Sequence, residues 1–187
     1  MARDADREIA FDVLMAVESR GAYSNLALNS ALAKTDVRSP GFVRELVYGV
    51  LRNRILLDYN IDAMLKVPSQ KPEPAVRTML RLGFYQLLFM ESVTDYAAVD
   101  STVELAGPRE KGKRGFLNGV LRNFLRGGKD IKLPPKDDAV RRLSVEYSYL
   151  PWIVEMWISR YGREGAEELL AAGNRVPPVS VRANSNK

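Results

Sequence analysis

The sequence predicts an all-α fold, on three observations. Apolar residues recur at helical spacing in one segment after another. No stretch up to Gly128 sustains the two-residue alternation of a half-buried strand. Capping and breaking residues stand where the periodic segments begin and end. Asp4 or Asp6 can cap a first helix carrying Ile9, Ala10, Val13, Leu14 and Val17, with Gly21 as its stop. Ser24 is expected to cap a short helix with Leu26, Ala27, Leu28 and Leu32. Ser39-Pro40 pairs a capping hydroxyl with a first-turn proline and opens a helix bearing Val43, Leu46, Val47, Val50 and Leu51. Leu57, Ile61, Met64 and Leu65 keep the period beyond Arg52-Asn53-Arg54, where a straight run and a bend are equally consistent with it. Val67-Pro68 closes that segment, because the residue before proline avoids the α region.

Pro72 and Pro74 open the next helix, with Val76, Leu80, Gly83, Phe84, Leu87 and Leu88 as its buried stripe. A mid-helix glycine costs roughly 1 kcal/mol against alanine, so Gly83 implies close approach of another helix. Tyr85 and Gln86 interrupt the stripe and read as buried polar tips met by a partner. Thr94 or Asp95 precedes a helix with Ala98, Val99, Thr102, Val103 and Ala106, and Gly107-Pro108 is expected to stop it. Asp100 and Glu104 read as helix-surface charges.

The stretch from Lys111 to Gly128 is a basic loop running into a short amphipathic helix. Leu117, Val120, Leu121, Phe124 and Leu125 gather on one side, and Asn118, Arg122 and Arg126 fall four apart on the other. Arg109, Lys111, Lys113 and Arg114 precede the helix, where the dipole disfavours cations but backbone amides favour a bound anion. From Arg109 through Lys129 there are seven cations and a single acid, Glu110. That density favours polyanion binding over a solvated face. Phe116, at the loop–helix junction, is either a core or staple residue or a platform for an unpaired base. Three other basic pairs, Arg3/Arg7, Arg52/Arg54 and Arg77/Arg81, read as solvated faces. For Arg3 and Arg7 an RNA-touching arm competes with ion pairing to Asp4, Asp6 or Glu8.

The 187 residues carry a net charge of +5 and contain neither Cys nor His. Disulfides, thiolate or imidazole metal ligands, Cys nucleophiles and His acid–base pairs are therefore excluded, and no metal site is expected. No apolar run reaches the roughly 20 residues of a membrane span, and the charged amino end lacks a signal-peptide core. A cytoplasmic protein is expected. The glycines at 107, 112, 115, 119, 127 and 128 match neither a Walker loop nor a dinucleotide fingerprint, so neither a cofactor site nor a catalytic residue is assigned.

The segment from Lys129 to Lys136, with Pro134-Pro135, reads as a linker. After it Asp137 is expected to start a helix through Val140, Leu143 and Val145. Pro151 begins another with Ile153, Met156, Trp157 and Tyr161, and Gly162 separates a third with Ala166, Leu169 and Leu170. Val179-Ser-Val-Arg182 alternates like the start of a strand. The expected division is residues 1–128 as an RNA-binding helical domain, 129–136 as linker, and 137–187 as the start of a truncated second domain.

Several motifs together carry a family resemblance. Leu80-Arg-Leu-Gly-Phe-Tyr-Gln-Leu-Leu-Phe89, Tyr96-Ala-Ala-Val-Asp100, Thr102-Val-Glu-Leu-Ala106 and Gly115-Phe-Leu-Asn-Gly-Val-Leu-Arg-Asn123 resemble the NusB-like domain that opens the RsmB (Sun/Fmu) family of bacterial rRNA cytosine-5 methyltransferases. Glu45-Leu-Val-Tyr-Gly-Val-Leu-Arg52, Leu150-Pro-Trp-Ile-Val154, Tyr161-Gly162 and Pro177-Pro-Val-Ser-Val-Arg-Ala-Asn184 are similar to the same family. Free-standing NusB antitermination factors are similar through Asn118-Gly119 but lack the segment after Pro134.

The resemblance implies an all-α NusB-like bundle that binds 16S rRNA, then the start of an α/β methyltransferase subdomain. A catalytic domain using S-adenosylmethionine and a Cys thiolate would follow. No Cys occurs in this chain, so no activity and no cofactor are expected of these residues, and the chain's own catalytic domain is an expected partner. The resemblance also places RNA at Arg3, Arg7, Phe116, Asn118 and Arg122. The alternative is a NusB-type protein-interaction or transcription antitermination module.

Overall fold

The computed structural model describes residues 4–35, 37–65, 71–110 and 112–175. Among them every regular element is a helix: α1 (Ala5–Arg20), α2 (Ser24–Lys34), α3 (Pro40–Arg52), α4 (Arg54–Met64), α5 (Pro74–Phe89), α6 (Asp95–Arg109), α7 (Arg114–Arg126), α8 (Ala139–Tyr147) and α9 (Pro151–Asn174). Asp4 caps α1 by accepting from the Arg7 amide, and Gly21 ends it at φ +63°. Asp6 is not a cap: it is buried and accepts from the amides of Arg38 and Ser39, at 3.1 and 3.0 Å, pinning the entry to α3. Ser24 lies inside α2, whose cap position is Tyr23. The Ser39 hydroxyl caps α3 through the Phe42 amide.

The chain bends between α3 and α4 at Asn53, whose side-chain amide donates to Gly49 O at 2.9 Å. α6 runs on through Gly107 and Pro108, correcting the expected stop. A proline removes only one amide donor, and the last turn closes where the Glu110 amide donates to Ala106 O at 2.8 Å. Asp138, one residue later than expected, caps α8. α9 is interrupted at Gly162 (φ +71°, ψ 173°), as the sequence suggested. Val67-Pro68 and Val179–Arg182 lie outside the described residues.

α5 is the axis of the molecule. Its residues from Val76 to Leu87 are buried except for Arg77, and α1, α3, α4, α6 and α7 all pack against it. Two glycines permit this crowding. A Cβ at Gly83 would lie 2.8 Å from Leu121 Cδ2 and 3.2 Å from Thr102 Oγ1, so α6 and α7 both press on that point. A Cβ at Gly49 would overlap the Tyr85 ring. The Tyr85 hydroxyl donates to Glu45, and burial together with that carboxylate pushes its pKa up, so it stays a donor. Gln86 is met as well: its Oε1 accepts from Arg7 Nε at 2.6 Å and its Nε2 donates to Leu82 O.

Arg81, 6% exposed, is not part of a solvated face. Its Nε and Nη2 donate to the two oxygens of Asp58 at 2.7 and 2.8 Å, and Glu18 lies 3.3 Å from Nη1. Burial pulls its pKa down, but the bonds and charge of Asp58 and then Glu18 outweigh this and raise it. Arg77 bridges Asp58 and Asp62. These pairs tie α5 to α4 and α1.

The linker is fixed to the bundle: Asn60 Oδ1 accepts from the Lys132 amide at 2.7 Å, and Asn60 Nδ2 donates back to Lys132 O. α8 and α9 enclose a small core of Leu143, Val154 and Leu170, with Trp157 packed against it. The Leu56 amide donates to Ser148 Oγ at 3.0 Å, joining this pair of helices to α4.

Gly49→Ala should destabilise the fold by about 1–3 kcal/mol through overpacking. Gly119→Ala, where a Cβ meets open space, should stabilise it by up to about 1 kcal/mol; denaturant midpoints measure both. Asp58→Ala strips Arg81 of its bidentate partner and should cost on the order of 3 kcal/mol in the same assay.

Candidate nucleic-acid interface

α7 is oriented by its apolar side. Leu117, Val120, Leu121 and Phe124 are buried, and Phe124 stacks on Phe84 of α5 with ring centroids 4.4 Å apart. Asn118, Arg122 and Arg126 therefore face away from α5, along the seam with α6. There the two helices bound a groove of about 760 Å³. Asn118, Arg122 and Arg126 form one wall, and Tyr96 and Asp100 stand on the other, with Val99, Val103 and Leu125 between.

The cations predicted from sequence fall into separate classes. Arg122 Nε donates to Asn118 Oδ1 at 2.8 Å, which leaves its terminal nitrogens for an outside acceptor. Among the described residues neither Arg122 nor Arg126 makes an ion pair. Lys113 pairs with Glu73 at 3.2 Å, Lys129 with Asp95 at 3.0 Å, and Arg114 with Glu104. All three pairs are solvent-exposed, so they contribute little to stability and exchange readily for a phosphate. Lys113 occupies the cap position of α7, and no side chain caps the first turn. Phe116, in that turn, is 41% exposed rather than packed as a staple.

Arg7 belongs elsewhere. It is 9% exposed; its guanidinium is held by Asp4 and Gln86 and lies 4.7 Å over the Phe42 ring. This is an internal anchor joining α1, α3 and α5, the ion-pairing reading of the sequence rather than an RNA-touching arm. Arg3 and Lys111 lie outside the described residues, as does the side chain of Arg109.

Sequence reasoning quoted Tyr96 only within a family motif, with no role at the site, and took Asp100 for an ordinary surface charge. Both line the groove, and Tyr96 is 70% exposed. Their four-residue spacing puts them on one face of α6, a signal that becomes meaningful only once α6 is known to lie beside α7. No helix among the described residues is long and apolar enough to cross a membrane.

Residues 4–126 match the sequence model of the NusB family. The chain is 38% identical over 193 residues to a probable ribosomal RNA small subunit methyltransferase B of Bacillus subtilis, an alignment that takes in 100% of this chain and 42% of that protein. It is 34% identical to the probable methyltransferase of the same name from Synechocystis (97% and 41% covered). It is 31% identical to ribosomal RNA small subunit methyltransferase B of Pseudomonas putida (95% and 40% covered). The chain thus spans about 40% of the length of these curated relatives. Among solved structures, a chain in the crystal structure of a plectonemic RNA supercoil superposes with a TM-score of 0.60 at 22% identity, covering 69% of this chain and 97% of that one. One in the crystal structure of antitermination factors NusB and NusE in complex with dsRNA does so at 0.57 and 24%, covering 66% and 96%.

Arg7→Ala should lower stability on the order of 2 kcal/mol, because it leaves Gln86 Oε1 buried without its donor. It should leave binding of a polyanion such as heparin unchanged. Thermal melting and a heparin column retention time read the two effects separately.

Proposed function

Because this chain belongs to the NusB family, we propose that it is the RNA-binding amino-terminal region of a 16S rRNA (cytosine-C5)-methyltransferase. The observation that carries the proposal is the pair Arg122 and Arg126, projecting along one wall of the α6–α7 groove without carboxylate partners among the described residues. A fold that only needed these helices to pack would gain nothing from two unneutralised guanidinium groups one turn apart. Lys113, Arg114 and Lys129 extend the basic surface, and each gives up only an exposed carboxylate when a phosphate arrives. Arg109 and Lys111 stand in the same stretch of sequence, and Phe116 offers an exposed ring to an unstacked base.

The names of the curated relatives supply the rRNA and the methyl transfer. One solved neighbour comes from a complex that contains dsRNA. The chemistry would lie in the part of those relatives that this chain does not match, where S-adenosylmethionine would bind and a Cys thiolate would attack cytosine C6. The described chain has no part in that step. Its work is to hold rRNA so that the target base reaches the catalytic domain, in the cytoplasm where ribosomes are assembled.

The test is binding of short rRNA-derived oligonucleotides by the chain and by the triple variant Arg114→Glu, Arg122→Glu, Arg126→Glu, across a salt series. The wild-type chain should show a log–log salt slope of roughly −0.7 per phosphate contact. The triple variant should keep the helical circular dichroism spectrum and lose that salt-sensitive binding. Equal affinity in a folded triple variant would reject the surface.

A further inference from the structure

The groove carries opposite charges on its two walls, which a plain phosphate track would not. Asp100 faces into it from α6, and among the described residues its carboxylate makes no ion pair and no hydrogen bond. A phosphate laid against Asp100 would be repelled, whereas Arg122 and Arg126 attract one. A ligand matching both walls must present an anion on one side and hydrogen-bond donors on the other. A nucleotide does this, with its phosphate at Arg122 and Arg126 and its base edge between Asp100 and Asn118.

Building on the RNA-binding reading, we propose that the α6–α7 groove selects an unpaired guanine, with Asp100 accepting from its Watson–Crick edge. A carboxylate has two acceptor oxygens, and guanine is the RNA base with two N–H groups side by side on that edge, at N1 and N2. Adenine and cytosine offer one amino group there, and uracil one imino group. Asn118 supplies the complementary contact. The arginine can only donate, so the atom of Asn118 that receives Arg122 Nε at 2.8 Å is its oxygen, and the amide N–H groups are turned free. They suit guanine O6, the acceptor beside N1. Tyr96, one turn before Asp100 and 70% exposed, provides a ring for the base to stack on. The edge read in this way is occupied in a duplex, so the site requires a loop, bulge or single strand.

The experiment uses fluorescence anisotropy with oligonucleotides of about ten residues: an all-uridine strand, and strands with one central guanosine, inosine or adenosine. The wild-type chain should bind the guanosine strand about tenfold more tightly than the all-uridine strand, with inosine, which lacks the N2 amino group, in between. Asp100→Asn should abolish the preference while binding the all-uridine strand at least as well. Tyr96→Ala should weaken every strand and keep their ranking. If the wild-type chain binds all four strands equally, or a folded Asp100→Asn variant still prefers guanosine, this inference fails and the RNA-binding surface stands. If the folded chain binds no strand at all, the proposed function fails first and the groove is left to a protein partner. If Asp100→Asn does not fold, the wild-type comparison of guanosine with inosine still decides.

Discussion

The missing side chain at Gly83 is the constraint on which the rest of this architecture depends. α6 and α7 both press on α5 at that point, through Thr102 and Leu121. A methyl group there would have to push one of them away. With both helices seated on the same turn, the groove of Tyr96, Asp100, Asn118, Arg122 and Arg126 lies along the seam between them. The stacked pair Phe84–Phe124 fixes the rotation of α7, which decides that the arginines face the groove and not α5.

The arginines of this molecule show how little charge by itself says about role. Arg81 and Arg77 are spent on holding α5 to its neighbours, and Arg7 on joining three helices. Arg122 and Arg126 stand on the surface with no ion-pair partner among the described residues. Burial separates the two groups: a buried guanidinium must be paired, because desolvating it alone is prohibitive, whereas an exposed one can wait for a ligand. The acids obey the same logic. Asp58 and Asp6 are internal acceptors, Glu104 and Asp95 are exchangeable surface partners, and Asp100 is left open beside two cations.

Much of this was legible in the residues. The helical periods, the Ser39-Pro40 start, the glycine ends of α1 and α7 and the meaning of Gly83 follow from local backbone chemistry, which a linear chain states directly. The apolar side of α7 and the cations opposite it follow from one helix alone. The Gly107-Pro108 stop fell one residue short of the helix end at Arg109, because a proline in the last turn removes only one amide donor. The role of Arg7 was undecided because Asp4 is a local partner but Gln86 is 79 residues away.

What the sequence by itself determined is which segments are helical and which side of each is apolar, because both depend on residues within a few positions of one another. Which helices lie together was decided only in three dimensions. Tyr96 and Asp100 acquire meaning from standing across a seam from Asn118 and Arg122, and Arg81 loses its place on the surface by meeting Asp58 and Glu18. Such pairings arise from packing around α5 between residues distant in the chain, and no local period encodes them.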